Sequence, residues 1–205
     1  DYAYSLKRLY DPQLSSPWLW YVEGKIVGGD EAMAVAKKAG KFDYDAAIAG
    51  IETPDKYTLR IRLKETDYNF IYIFGTVQTG AVAREVIEAN AADPGAHPVG
   101  SGPYRLVEWK RSHKMVLEAN PGYRPHFYEA DPGSDPGMQE IYRQMKGKKL
   151  PQIQRVEVTV IEESQPRWLA FLNGETDYAN AQNEFAGFAF PGGKRAPNLA
   201  KTDMR

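Results

Sequence analysis

Apolar positions fall at helical spacing from the first residues: in DYAYSLKRLYDP, Tyr2, Leu6 and Leu9 share one face, and Asp11-Pro12 ends the run. A second helix is predicted over about 30–40, with Asp30 as its cap. Ala32, Val35, Ala36 and Ala39 form its inner stripe, and Gly40 is its stop. YTLRIRL (57–63) alternates strictly, which predicts a half-buried strand entered through a Thr53-Pro54-Asp55 turn. YNFIYIFG (68–75) is continuously apolar, and periodicity leaves helix and buried strand both open. A helix over about 81–91 follows, then two strand-like runs, YRLVEW and KMVLEA, whose separation by Lys110 to His113 predicts a β-hairpin. Residues 120–154 are rich in Pro, Gly and charge, the pattern of a long surface excursion with one short helix at 137–145. RVEVTVIEE (155–163) alternates again. Ser164 is placed to cap QPRWLAFLN, with Trp168, Leu169, Phe171 and Leu172 inward and Gly174 closing the helix. Periodicity fades from Ala181 onward, and no internal repeat is present.

Composition narrows the class. With 205 residues and 42% apolar side chains the chain buries a real core. Its 26 basic and 27 acidic residues nearly cancel, which leaves no electrostatic footprint for nucleic acid. No apolar run is long enough to span a bilayer. The absence of cysteine excludes disulfides, thiolate zinc sites and a cysteine nucleophile, and it is compatible with export. The chain opens at Asp1 in mid-helix and closes on APNLAKTDMR, so a piece of a longer chain is expected, its signal peptide removed or outside this sequence.

Candidate chemistry is sparse. The glycines of HPVGSGPYRLVEWK (97–110) invite comparison with a phosphate-binding loop, but Arg105 stands where the third glycine belongs and Pro103 lacks an N–H. A strand pattern also follows instead of a helix. The stretch is expected to be a tight bend using glycine's freedom at positive φ, with Pro103 setting an extended entry to the strand. Glu162, Glu163, Glu175 and Asp177 supply carboxylates for a hydrolase of the two-carboxylate kind, yet they sit at a strand end and a helix-closing turn, where exposed acids are ordinary. His97, His113 and His126 lack metal-ligand spacing, Lys146-Gly-Lys-Lys149 reads as a solvated loop, and no nucleophile elbow occurs. No cofactor or metal is implied. In SPWLWYVEG, Trp18, Trp20 and Tyr21 cluster after the first helix, either as core or as the wall of a ligand cleft.

Taken in order, DYAYSLKRLYDP, TPDKYTLRIRLKE, HPVGSGPYRLVEWKRSHKMVLEANPGYR and RVEVTVIEESQPRWLAFLNGETDYA resemble the family 5 extracellular solute-binding proteins, the peptide- and nickel-type receptors of ABC importers. The His-Pro-Val-Gly-x-Gly-Pro-Tyr bend with its closing Asn-Pro-x-Tyr is the most specific piece. Ser101 stands where Thr is common, and the segment at about 129–150 is longer than usual. The resemblance implies a mixed α/β (α+β) fold: the first lobe of a two-lobed periplasmic binding protein, with mixed sheets flanked by helices. Residues 1–78 would be part of a small extra subdomain of that lobe, 79–180 its central sheet portion, and 181–205 the start of a crossover toward a second lobe that is missing. It implies a non-enzymatic, exported receptor, periplasmic or extracellular, that binds a peptide-like or other small solute and delivers it to ABC permease subunits. A metal chelate, haem or an oligosaccharide are the other ligand classes, a carboxylate-dependent hydrolase is the rival function, and a sensor module without transport is a third. The chain is expected to hold one wall of the site. Trp18 and Trp20 are the candidates there, and Tyr178, Asn180 and Gln182 are candidates at the exit toward the second lobe.

Overall fold

Tyr4, Leu6 and Leu9 are buried on helix α1 (Tyr2–Leu9), while Tyr2 is half out in solvent. The inward face is therefore rotated from the predicted one, because Tyr4 packs on Tyr44 at 4.9 Å between ring centroids. The computed structural model describes residues 1–180 and 183–200. They divide into two units, one running from Asp1 to Ser101 and the other starting at Gly102.

In the first unit, helix α2 (Gly29–Ala39) opens after Gly28 at φ +81° and closes at Gly40 at φ +69°, both left-handed positions that suit glycine. Asp30 is not its cap. Its carboxylate instead accepts the Gly24 N–H at 3.1 Å and pairs with Lys64 Nζ at 2.7 Å, tying the helix start to the strand exit. The inner stripe centres on buried Ala36, with Ala32 and Met33 one turn back; Val35, a third of a turn away, is 67% exposed, contrary to the predicted stripe. Strands β1 (Ile51–Asp55) and β2 (Thr58–Ile61) pair antiparallel, Ile51 opposite Ile61. Thr53-Pro54-Asp55 thus lies inside β1, and the reversal is at Lys56-Tyr57, where Asp55 Oδ1 accepts the Tyr57 N–H at 2.8 Å. Pro54 is tolerated where the register slips between Glu52 and Asp55. Residues Phe70–Gly75 form 3₁₀ turns with Phe70 and Ile73 inward, which resolves the helix-or-strand ambiguity. The core gathers Leu6, Leu9, Tyr10, Val22, Ile26, Ala36, Phe42, Ile48, Ile51, Phe70 and Ile73. Helix α3 (Arg84–Ala89) belongs here too, held by the Val82 N–H on Ser5 Oγ at 2.9 Å and by Arg84 on Asp45.

The second unit is built on a three-stranded antiparallel sheet in the order β3 (Tyr104–Lys110), β4 (Lys114–Ala119), β5 (Arg155–Thr159). The hairpin turn passes through Ser112 at φ +55°. Val116, on the central strand, is fully buried although its cross-strand partners are Glu108 and Glu157. Lys114 lies 3.7 Å from Glu108 and 3.8 Å from Glu157, and Glu118 bridges Arg105 and Arg155 at 3.5 and 3.2 Å. Val116 therefore lies within a charged ladder that runs along that face of the sheet. Helix α4 (Pro136–Met145) starts at Asp135, whose Oδ1 caps the Met138 N–H at 2.8 Å. Helix α5 (Ser164–Leu172) begins after Glu163 with no side-chain cap, so Ser164 is its first residue instead of its cap. Gly174 at φ +74° closes it. Ala170 is its buried residue, Leu169 stays 48% exposed, and Trp168, Phe171 and Leu172 pack on Ala189, Ala196 and Leu199. Ala189 comes from helix α6 (Asn183–Ala189), Leu199 from helix α7 (Pro197–Ala200), and Ala196 immediately precedes α7.

The Gly-Ser-Gly-Pro stretch is a bend into β3, but its glycines are not there for positive φ: neither Gly100 nor Gly102 adopts one, and a Cβ on either would meet open space. What fixes the bend is Asn120. Its Nδ2 donates to Gly102 O at 3.0 Å, its backbone N–H donates to Pro103 O at 2.8 Å, and its Oδ1 accepts the Gly122 N–H at 3.0 Å. The two halves of the motif, Gly-Pro-Tyr and Asn-Pro-x-Tyr, are thus one hydrogen-bonded unit. Asn120→Ala is expected to cost about 1 kcal/mol by removing the two side-chain hydrogen bonds, to Gly102 O and from the Gly122 N–H, read as a lower urea midpoint with unchanged slope. Asn120→Asp, which keeps the acceptor alone, should recover part of the loss.

Candidate functional site

Val22 is fully buried, and its N–H donates to Leu19 O at 2.9 Å, closing the 3₁₀ turn Leu19–Tyr21. This anchor leaves the neighbouring rings on the outside. Trp18 stacks on Tyr21 with centroids 5.7 Å apart and planes 17° from parallel, and Trp20 lies 4.2 Å from Tyr21. Trp18 is 38% and Trp20 58% exposed, so the cluster is a surface platform more than core. Trp18 also walls an open cavity of about 320 Å³ together with Arg8, Leu9, Leu14, Ser16 and Gln78. Arg8 borders a second cavity of about 270 Å³, lined by Val86 and Ile87 of α3 and by His97 to Val99. A third and larger depression of about 610 Å³ is mostly apolar, formed by Tyr57, Leu59 and Ile61 of the hairpin against Tyr68, Ile71 and Phe74, with Asp67 also in its lining. Sequence reasoning missed it, although the alternating face of YTLRIRL beside YNFIYIFG was its signal.

In the second unit Tyr178 is 79% exposed, and its hydroxyl donates to Asn180 Oδ1 at 2.8 Å. Gln182 lies outside the described residues. Trp18 and Trp20 are in one unit and Tyr178 and Asn180 in the other. Of the acids weighed for hydrolysis, Glu175 accepts from Asn173 Nδ2 at 3.2 Å, and Glu162 takes Arg167 on its backbone carbonyl at 2.9 Å. The histidines are dispersed: His126 Nδ1 lies 3.1 Å from Tyr123 OH, whereas His97 is on the cavity beside α3. Among the described residues no group of three His, Asp or Glu side chains is arranged to hold a metal ion, and no helix is long and apolar enough to cross a membrane. A polar cavity of about 380 Å³ between Asn120, Tyr123, Lys149 and Gln152 was also not foreseen.

Small antiparallel sheets with packed helices and open, aromatic-walled cavities define the class: a lobe of the periplasmic binding-protein fold. The solved structure of Burkholderia pseudomallei OppA superposes with a TM-score of 0.63 at 19% identity, over 94% of this chain and 33% of that one. Residues 1–194 match the bacterial extracellular solute-binding proteins, family 5 (middle), and the chain belongs to that family. Among curated relatives, the periplasmic oligopeptide-binding protein OppA of Salmonella typhimurium is 29% identical over 127 residues, 60% of this chain and 22% of that protein. The glutathione-binding protein GsiB of Salmonella paratyphi A is 34% identical over 76 residues, 37% of this chain and 15% of that protein. The chain therefore spans about a fifth or less of the curated relatives and a third of the solved structure.

Proposed function

We propose that the chain is part of a solute receptor for an ABC importer, working outside the cytoplasmic membrane and taking peptides or peptide-like solutes. Family membership across residues 1–194 carries the reading, and the oligopeptide- and glutathione-binding relatives favour peptide-like ligands. In this reading the receptor binds without turnover and hands its ligand to permease subunits. The Trp18–Trp20–Tyr21 platform is one wall of the site, and Tyr178 and Asn180 lie where the chain leaves toward a second lobe. Flat, amphipathic rings suit such a wall because they offer contact area to varied side chains at low entropy cost.

The test is native mass spectrometry of the protein purified without denaturation from a peptide-containing medium. Masses matching short peptides or glutathione-like compounds, exchangeable by added peptide, are expected. A bound haem, oligosaccharide or metal chelate, or release of a cleaved product on incubation with peptide, would overturn the reading.

A further inference from the structure

Two guanidinium groups lie over the ring of Tyr4, that of Arg8 at 5.9 Å and that of Arg84 at 5.7 Å from its centroid. Their charges are handled differently. Arg84 is neutralised twice, by Asp45 and by Glu88. Arg8 is half-buried, and among the described residues its side chain has no ion pair and no hydrogen bond. The carboxylate of nearby Asp11 is already engaged, accepting from Tyr44 OH and from the Gln13 N–H. A guanidinium carries five N–H donors in a fixed fork and stays charged throughout the pH range of a folded protein. Holding it part-way out of water without an anion is unfavourable, and a bound carboxylate would offset that cost with charge-assisted hydrogen bonds.

Arg8 is also shared by two of the cavities. In the one walled by Trp18 it is joined by three further polar side chains, Ser16, Gln78 and Ser5, the last already accepting the Val82 N–H on its Oγ. Ser16 Oγ accepts the Trp18 N–H at 3.3 Å, which leaves its own hydroxyl hydrogen for a ligand. The rest of that wall is apolar, from Leu9, Leu14 and Trp18. Polar donors together with leucine and tryptophan in the lining of one cavity suit an organic acid with an apolar body.

We infer that Arg8 anchors a carboxylate-binding subsite in this cavity, with the apolar part of the solute lying on Trp18 and Leu14. The inference rests on the proposal that this face is one wall of a solute site. It does not require the solute to be a peptide: a free acid and a peptide C-terminus present the same group.

The experiment uses three probes, phenylacetate, the dipeptide Ala-Phe and its C-terminal amide, titrated into ¹⁵N-labelled protein while the Trp18 indole N–H is followed. Both acids are expected to shift that signal, and the amide to bind about ten-fold more weakly. Arg8→Gln should weaken the acids by about ten-fold and leave the amide unchanged, with Arg8→Lys between the two. Acid and amide binding alike, or Arg8→Gln binding the acids as tightly as the unaltered protein, overturns the subsite. If Arg8→Gln does not fold, the acid-to-amide ratio on the unaltered protein and the loss of acid binding in Gln78→Leu decide the matter. Phenylacetate without Ala-Phe assigns the site to small acids. Peptides recovered by native mass spectrometry with no preference for the acid defeat the subsite alone; acid binding with no peptide recovered defeats the peptide reading alone.

Discussion

Replacing Gly50 with alanine is expected to destabilise the first unit by about 3 kcal/mol, the upper end of overpacking costs, and to lower its melting midpoint by roughly 10 °C. Gly50 lies between two other backbone segments. Its N–H donates to Val27 O at 2.7 Å, and its own carbonyl accepts the Arg62 N–H at 2.9 Å. A Cβ at this position would stand 2.6 Å from Ile26 Cγ2, 2.6 Å from Val27 O and 2.7 Å from Val27 N. Two of these three are main-chain atoms, which have no rotamer to escape into, and the third belongs to a fully buried residue. The methyl group is accommodated only if the Val27 segment moves off Gly50, and that breaks the Val27–Gly50–Arg62 ladder. Gly75→Ala is the matched control, because its Cβ would meet nothing within 4 Å. Thermal unfolding followed by circular dichroism separates the two. A Gly50→Ala protein melting within about 2 °C of the Gly75→Ala protein would show that the segments are not in close approach, since 3 kcal/mol cannot hide in so small a shift.

Nothing in the string AIAGIE announces that role, and the reason is general: close approach of backbones is a tertiary fact, while periodicity reports only which face is wet. Where local chemistry decides, the elements were legible. Gly40 and Gly174 stop α2 and α5 at left-handed positions, and the run from Tyr104 to Ala119 folds as the predicted hairpin. Where burial depends on what covers a residue, they were not. Val116 sits on the charged face of its strand, between Lys114 and Glu118, and is nevertheless fully buried, an outcome alternation cannot encode. The glycines at 100 and 102 were expected to supply positive φ, and the bend is instead fixed by a hydrogen-bonded asparagine eighteen residues after Gly102. The candidate site divides in the same way. Trp18 and Trp20 are conspicuous because tryptophan is rare and the two stand almost side by side. Arg8 is inconspicuous, because its distinction is the lack of a counter-ion among the described residues, and a missing partner shows only in three dimensions.

Tyr10 is the second position of large expected effect, and it differs from Gly50 in being sensitive to pH. It is fully buried, its hydroxyl donates to Val22 O at 2.7 Å, and its ring lies against Gly29. Tyr10→Ala is expected to cost about 3–5 kcal/mol through the cavity it leaves. Tyr10→Phe is expected to cost about 1 kcal/mol at neutral pH, because Val22 O loses its shorter buried hydrogen bond and keeps only the Lys25 N–H at 3.1 Å. Burial, and secondarily the negative charge of Asp30, raise the Tyr10 pKa well above its ordinary value. In the unfolded chain the phenol ionises near its ordinary value of about 10, so its contribution is complete below that pH. As pH rises further the unfolded state loses a proton that the folded state keeps, and stability falls by up to about 1.4 kcal/mol per pH unit until the folded value is reached. Tyr10→Phe lacks this slope. Tyr44, whose pKa is raised first by burial and then by its hydrogen bond to Asp11, imposes the same kind of slope on both proteins and cancels in the comparison. The gap between parent and variant, read from urea unfolding, should therefore be widest at about pH 8 and vanish or reverse by about pH 11.5. A gap constant across that interval would mean that Tyr10 ionises as readily folded as unfolded, which a fully buried phenol donating to a carbonyl does not do.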